Sequence, residues 1–199
     1  MPLYGMAKGS HSPALVLPWF ERGHIRHYLQ RIGNKTDVSQ RITWIPEIAS
    51  GLTYLHEEGI LHGRLRRERV LVSDEGVAQL TDVTIIPFQE QRASEIIPWK
   101  DTGERWVAPE VSLGAQETLS SDVFSFALLG IEIFTAEVPF PDLHSFIVSA
   151  YVTQGVQPNR PISMPDKVWE LMKQCWNLDP QQRPSMSHIV HALHECTTL

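Results

Sequence analysis

The chain has 199 residues, of which 42% are hydrophobic and 20% are charged, and its formal net charge at pH 7 is −6. This length and composition are typical of one globular domain with a sizeable core. The acidic balance argues against a nucleic-acid-binding protein, because neutralising phosphates requires a basic surface. Two cysteines, Cys175 and Cys196, are too few for a disulfide framework and favour a reducing compartment. The sequence predicts neither a signal peptide nor a membrane span, so we expect a cytoplasmic or nuclear protein with no membrane partner.

Two short strands are the first predicted elements. Apolar residues at 3–6 and 14–19 flank a polar stretch around Gly9, a pattern that predicts a β-hairpin. Gly5 and Gly9 fit neither the G-x-G-x-x-G nor the G-x-x-x-x-G-K-[ST] phosphate-binding pattern, so we interpret them as turn glycines. A short helix is predicted over 24–32.

A longer helix is predicted to begin at Ser39, which can cap it. Apolar residues recur after it at spacings of three and four, and Gly59 supplies a C-terminal stop. Pro46 lies inside this pattern and should bend the helix, because proline removes a backbone donor.

A charged loop and two more strands are predicted next. Residues 62–69 read HGRLRRER, which is too charged for a position in the core. A strand over 70–72, a turn over 73–76 and a strand over 77–81 follow this loop. Residues 82–119 lack sustained periodicity and are predicted to be irregular.

The stretch 121–135 reads SDVFSFALLGIEIFT and predicts a central helix. A helix that is apolar on all sides is either a membrane span or the buried axis of a domain. This one is shorter than the roughly 20 residues of a span and is interrupted by Asp122 and Glu132, so we expect a buried axis. Ser120 or Ser121 can cap its start. Asp122 either completes this cap or binds neighbouring backbone N–H groups, since an unpaired buried charge is costly.

Further helices are predicted beyond a proline-rich turn at 138–141, over 143–154, 166–176 and 185–194. In the last of these, His188, His191 and His194 have a spacing that drifts around the helix. No cysteine or carboxylate is placed to complete a metal site, so none is predicted there.

Five segments in this order resemble the large, mostly helical lobe of a protein kinase, with the tyrosine-kinase-like branch as the closest match in style. They read TYLHEEGILHGRLRRERVLV, QLTDVT, RWVAPE, SDVFSFALLGIEIFT and CWNLDPQQRPSM. The resemblance covers nearly the whole chain. It implies a mainly α (α+β) fold around the buried central helix. It also implies one truncated kinase-like domain over 1–199, in which 1–20 are a β-hairpin remnant of the small lobe with the hinge and 21–199 form the large lobe.

The resemblance also assigns structural roles to three residues. It places Asp122 beneath the catalytic loop, where its carboxylate binds the loop backbone. It pairs Glu110, the last residue of the A-P-E triplet, with Arg183 in a buried ion pair.

The catalytic motifs depart from the family pattern H-R-D-L-x-x-x-N followed by D-F-G. His62 is retained, but Gly63 replaces the arginine of that triplet, and Arg64 stands at the position of the catalytic aspartate. Arg69 stands at the position of the magnesium-binding asparagine. Asp82 is the one retained residue of the D-F-G triplet and is a weak metal candidate by itself.

These replacements remove the chemistry of phosphoryl transfer, which relies on metal ions and on an aspartate that orients the acceptor hydroxyl. Arginine cannot accept a proton near neutral pH and cannot ligate magnesium, which takes oxygen ligands. A cation about 4 Å from a metal ion also opposes its binding, by roughly 4 kcal/mol per unit charge at an effective dielectric constant of 20. We further expect no Gly-rich loop and no ATP-anchoring lysine, because the chain resembles a kinase only from about the fourth strand of the small lobe.

We therefore expect a catalytically inactive kinase-like protein, either a pseudokinase or a truncated kinase, that acts in signalling by binding a protein partner. No cofactor is expected, and no cofactor-binding residue is assigned. The alternative is an active protein kinase that transfers phosphate from ATP, with Mg²⁺, to serine, threonine or tyrosine.

Two interpretations of the loop residues stay open. His62 is either a general base or a structural residue that holds the loop, and the loss of its partners favours the structural role. The arginines at 64, 66, 67 and 69 either bind a phosphate or an acidic partner, or pair internally with Glu68 and Asp82. In particular, we expect Arg64 or Arg69 to pair with Asp82, where the family places a metal ion.

Overall fold

The computed structural model describes residues 4–8, 13–32, 38–63, 65–81 and 103–197. Its first elements are the strands β1 (Gly5–Lys8) and β2 (Pro13–Val16), which pair antiparallel as the predicted hairpin. Both differ from the predicted bounds. In particular, β2 ends before Pro18, which has no N–H to donate to a ladder. The ring of Trp19 lies beyond the strand and is exposed.

The next elements are the helices α1 (Ile25–Ile32) and α2 (Val38–Glu57). The long helix begins one residue before Ser39 and continues through Pro46 to its end. Its stop at Gly59 is confirmed, because Gly59 has φ +69° and donates to the His56 carbonyl at 3.1 Å. The Ile60 amide donates to the Leu55 carbonyl at 2.8 Å, which completes a Schellman motif.

A loop leads from α2 to the second sheet. It contains the 3₁₀ turn Arg67–Arg69, and the strands β3 (Val70–Val72) and β4 (Ala78–Leu80) then pair antiparallel, as predicted. The prediction that the whole loop is too charged for the core was wrong. His62 and Leu65 are both buried, whereas Arg66, Arg67 and Arg69 are half-buried.

The central helix α4 spans Leu119–Thr135, and every side chain over 121–134 is buried. Its N-cap is Thr118, so the prediction of Ser120 or Ser121 as the cap was wrong. Thr118 Oγ1 accepts from the Ser121 amide at 3.2 Å, and Ser121 Oγ accepts from the Thr118 amide at 2.9 Å. This reciprocal box satisfies two backbone donors at once, which sets the start of the helix earlier than predicted.

The described part of the stretch predicted to be irregular contains regular structure as well. It holds the 3₁₀ turn Gly103–Trp106 and the one-turn helix α3 (Pro109–Ser112) before α4. Three helices and a further 3₁₀ turn follow α4: α5 (Ser145–Thr153), α6 (Asp166–Cys175), the turn Pro180–Gln182 and α7 (Met186–Thr197).

Helix α4 packs against α2 and α6, and α7 packs along α2, so the core is mainly helical. Gly130 permits the close approach of α4 to α6, since a Cβ at this position would lie 3.1 Å from Met172 Sδ. None of the described helices has the length and apolar character needed to cross a bilayer. This mostly helical arrangement agrees with the fold class that the resemblance implies.

Candidate functional site

The carboxylate of Asp122 holds the start of the charged loop. Its Oδ2 accepts from the His62 amide at 2.8 Å, and its Oδ1 accepts from the Gly63 amide at 2.8 Å. The His56 ring Nε2 lies 3.1 Å from Oδ2. Asp122 is 1% exposed, so three polar groups satisfy a buried carboxylate. The cap of α4 is made by Thr118 instead, and the geometry of Asp122 is the one that the resemblance implies.

Gly63 has a backbone conformation that favours glycine over other residues. Its φ is +71°, in the left-handed region that glycine adopts without steric cost. The loop turns at this residue so that two successive amides reach one carboxylate. Glycine at this position therefore relieves backbone strain that an arginine, the family residue, would carry there.

A buried hydrogen-bonded network joins the loop to the last turn of α4. Arg67 Nη1 donates to Glu132 Oε1 at 2.6 Å, and Trp106 Nε1 donates to Glu132 Oε2 at 3.1 Å. The Arg67 guanidinium also lies 5.9 Å from the centre of the Trp106 ring. Glu132 is 1% exposed, and from the sequence it was expected only to interrupt an apolar helix. A buried carboxylate requires a partner, and the arginine-rich loop was the available signal.

The protonation of Glu132 is set mainly by its burial. Desolvation raises the pKa of Glu132 to about 8, against the opposing charge and hydrogen bond of Arg67. The Glu68 carboxylate raises this pKa further, and the Trp106 hydrogen bond lowers it. In the unfolded chain Glu132 loses its proton near pH 4.5, whereas the raised pKa in the folded protein favours the protonated form up to about pH 8.

We predict that this proton makes the folded protein less stable as pH rises. Because the folded state binds more protons in this window, the Glu132 contribution is fully present below about pH 4.5 and is lost as pH rises through about 8. Urea unfolding of the wild type and of Glu132→Gln at several pH values measures this. The wild type should lose stability relative to the variant by a few kcal/mol, to order of magnitude, between pH 5 and 8. Glu137→Gln serves as the control, because it removes the same charge at an exposed position. The prediction is contradicted if the difference in unfolding free energy between the wild type and Glu132→Gln does not vary with pH.

Glu110 and Arg183 form the second buried ion pair. Arg183 Nη1 and Nη2 donate to Glu110 Oε1 and Oε2 at 2.7 and 2.8 Å, a bidentate geometry. Arg183 also donates to the Ser120 and Asn177 carbonyls, at 2.9 and 2.8 Å. The Arg183 side chain is 0% exposed and that of Glu110 is 19% exposed. The pair joins the segment before α4 to the segment before α7, as the resemblance implies.

Glu68 is the centre of the remaining charges on the loop. It lies 3.0 Å from Arg26 Nη1, 3.6 Å from Arg66 Nε and 3.1 Å from Arg67 Nε. Burial raises the pKa of Glu68, but the hydrogen bond and charge of Arg67, with the charge of Arg66, hold that pKa below its usual value. Arg66 and Arg67 therefore have partners within the protein, which supports the internal-pairing interpretation for these two residues.

Four residues at positions of the family's catalytic centre remain to be placed. Arg64 and Asp82 lie outside the described residues, so the expected pair between Asp82 and Arg64 or Arg69 stays a prediction. Arg69 ends the 3₁₀ turn and is half-buried. His62 is buried with its amide on Asp122, a placement in keeping with a structural role. Over the described ranges, no three histidine, cysteine or acidic side chains cluster as a metal site would require.

The sequence of this chain is similar to those of known protein kinases. The family model described as protein tyrosine and serine/threonine kinase matches residues 1–193. The tyrosine-protein kinase SPK-1 of Girardia tigrina is 28% identical over 187 residues, which cover 86% of this chain and 36% of that protein. The serine/threonine-protein kinase STY17 of Arabidopsis thaliana is 27% identical over 193 residues, which cover 96% of this chain and 33% of that protein. This chain thus spans about a third of the length of these relatives.

Proposed function

Because the chain belongs to the family of protein tyrosine and serine/threonine kinases, we propose that it is a catalytically inactive member that acts by binding another protein. The single observation that carries this proposal is a contrast within one loop. The contacts that hold the loop are in place, whereas arginines occupy the positions of the catalytic aspartate and of the magnesium-binding asparagine.

The contacts of the loop support a folded scaffold. Asp122 binds the amides of His62 and Gly63, and Arg67 binds Glu132. These contacts are buried, so removing one partner would leave an unpaired polar or charged group at a cost of a few kcal/mol. The loss of the catalytic residues has therefore not been accompanied by loss of the fold around them.

The replaced residues oppose phosphoryl transfer in two ways. Arg64 cannot take the proton of an acceptor hydroxyl, because a guanidinium stays protonated at neutral pH. Arg69 supplies no oxygen for Mg²⁺ and adds a positive charge where the metal would sit. If ATP and Mg²⁺ do bind, Asp82 is the family residue left to hold the metal, and the metal would neutralise phosphate charge.

Binding is the activity that such a scaffold can retain. The partner is proposed to be a protein rather than a nucleic acid or a membrane, since the net charge of −6 disfavours polyanionic partners. A cytoplasmic or nuclear location and a role in signalling belong to the same proposal.

The alternative is an active kinase, and family membership together with the retained His62 and Asp82 is the observation that favours it. In that case ATP would be the phosphate donor and protein hydroxyl groups the acceptors. The two candidates differ in one measurable reaction.

We predict no phosphoryl transfer by the 199-residue protein. The test is incubation with γ-³²P-labelled ATP and either Mg²⁺ or Mn²⁺, with myelin basic protein and a glutamate–tyrosine copolymer as acceptors. The ³²P incorporated should equal that of a heat-denatured sample, because arginines occupy the positions of the catalytic aspartate and of the magnesium-binding asparagine.

The variant Asp82→Asn separates true activity from contamination in this assay. Incorporation by the wild type that disappears in Asp82→Asn would establish the active-kinase alternative, since Asp82 is the remaining metal candidate. Equal incorporation by both proteins would identify a contaminating kinase, and the preparation would then be purified until this signal is removed.

A further inference from the structure

A cavity of about 240 Å³ lies between α4, α5 and α6. Its walls are apolar and come from three elements: Phe124 and Leu128 of α4, Val152 of α5, and Trp176 directly after α6. These four side chains are each less than 5% exposed, so the walls are part of the core. Val156, which is 41% exposed, lies at the outer rim.

The volume of the cavity sets the size of a ligand. An apolar protein cavity of about 150 Å³ is large enough to bind benzene. A cavity of about 240 Å³ is roughly one and a half times that size and suits a two-ring aromatic body. Aromatic rings also pack well against walls built from Phe124 and Trp176, because offset and edge-to-face contacts are favourable.

The polar groups of the cavity set the charge of a ligand. Among the described residues that line it, Lys173 alone is charged, and Gln157 and Asn177 supply neutral polar groups. The Lys173 ammonium lies 2.6 Å from Glu170 on the exposed side of α6, where such ion pairs contribute little. Lys173 can therefore exchange Glu170 for an anion in the cavity.

We propose that this cavity binds a small two-ring aromatic carboxylate. The ring system lies between Leu128, Val152 and Trp176, and the carboxylate faces the Lys173 ammonium. The cavity uses none of the residues at the positions of the catalytic loop, so this binding is independent of whether the protein transfers phosphate.

The first test uses 1-naphthoate as the probe with the folded 199-residue protein. We expect saturable binding and nuclear Overhauser contacts from the ring protons to the methyl groups of Leu128 and Val152. The amine 1-naphthylmethylamine has the same rings and the opposite charge, and it should bind at least roughly tenfold more weakly. Contacts to methyl groups outside the cavity, or equal affinity for the two probes, would overturn the proposal.

The second test uses variants at the rim, which leave the buried walls intact. Lys173→Gln should weaken 1-naphthoate binding roughly tenfold and remove the preference over the amine, because it deletes the charge and keeps the volume. Val156→Trp should abolish binding of both probes by filling the entrance. Lys167→Gln is the matched control, since Lys167 lies on the same helix, is exposed and does not line the cavity.

Unfolding curves for each variant show whether it is folded, so that loss of binding is not confused with loss of structure. Unchanged affinity for 1-naphthoate in Lys173→Gln would show that the Lys173 ammonium does not bind the carboxylate and would overturn that part of the proposal. Undiminished affinity in a folded Val156→Trp would show that the probe binds elsewhere and would overturn the site.

Discussion

Replacing Arg183 by alanine is expected to lower the free energy of unfolding by about 3–5 kcal/mol, the range for stranding one charge of a buried pair. The substitution leaves the Glu110 carboxylate without both of its guanidinium hydrogen bonds. It also removes the donors to the Ser120 and Asn177 carbonyls. Urea unfolding followed by circular dichroism measures the change at neutral pH.

Arg160→Ala is the matched control for this prediction. Arg160 pairs with Asp166, but the two side chains are 41% and 87% exposed. An exposed pair contributes about 0–1 kcal/mol, so this variant should remain close to the wild type. A loss below about 0.5 kcal/mol in Arg183→Ala, or equal losses in both variants, would show that the Glu110 pair does not stabilise the protein as its burial implies.

Replacing Asp122 by alanine is expected to cost about 2–6 kcal/mol. The substitution leaves two buried amides, those of His62 and Gly63, without their acceptor, and each unsatisfied donor costs about 1–3 kcal/mol. Asp122→Asn retains one carbonyl oxygen and should lie between the wild type and the alanine variant.

Hydrogen exchange at the two amides tests the local origin of this effect. Both amides should exchange faster in Asp122→Ala than in the wild type, while those of Leu128 and Leu129 in the middle of α4 change only as far as global stability does. Unchanged protection of His62 and Gly63 together with a loss below about 1 kcal/mol would mean that Asp122 does not hold the loop.

Local patterns in the sequence predicted the elements more successfully than the contacts between them. The apolar run over 121–135 predicted a helix with no polar face, and the structure buries every side chain over 121–134. Gly59 predicted the end of α2 because a left-handed residue is favoured there, and its φ is +69°. Both predictions depend only on residues within the helix or directly next to it.

The contacts at the site join residues far apart in the sequence. Asp122 and the His62 amide are 60 positions apart, and Glu110 and Arg183 are 73 positions apart. Periodicity and spacing do not select such partners, and these two were expected only from the resemblance to kinases. Glu132 was overlooked because the sequence offers several arginines in one loop and does not show that Arg67 faces the helix.

The incorrect predictions also have identifiable physical causes. Thr118 was missed as the cap because its box uses Ser121 in place of the more common glutamate or glutamine. His62 and Leu65 were placed outside the core because charge was averaged over the whole loop, whereas burial is decided residue by residue.

The double variant Arg64→Asp with Arg69→Asn tests whether the two arginines oppose the binding of Mg²⁺. This variant restores the family's aspartate and asparagine at positions 64 and 69 and removes two positive charges. It should be less stable than the wild type at neutral pH without metal, because Asp82 loses its expected counter-charge, and millimolar Mg²⁺ should restore part of that stability. Arg31→Asp with Lys167→Asn makes the same change in net charge at exposed positions and should not respond to Mg²⁺.

The most direct measurement is the thermal unfolding midpoint of the wild type with ATP at millimolar concentration, in the presence and absence of Mg²⁺. We predict that the midpoint is the same in both conditions, because arginines occupy the positions of two family site residues. A saturable increase in the midpoint that requires both ATP and Mg²⁺ would contradict the central claim that the replaced residues have abolished the metal and nucleotide site, since only a ligand bound by the folded state raises its stability in this way.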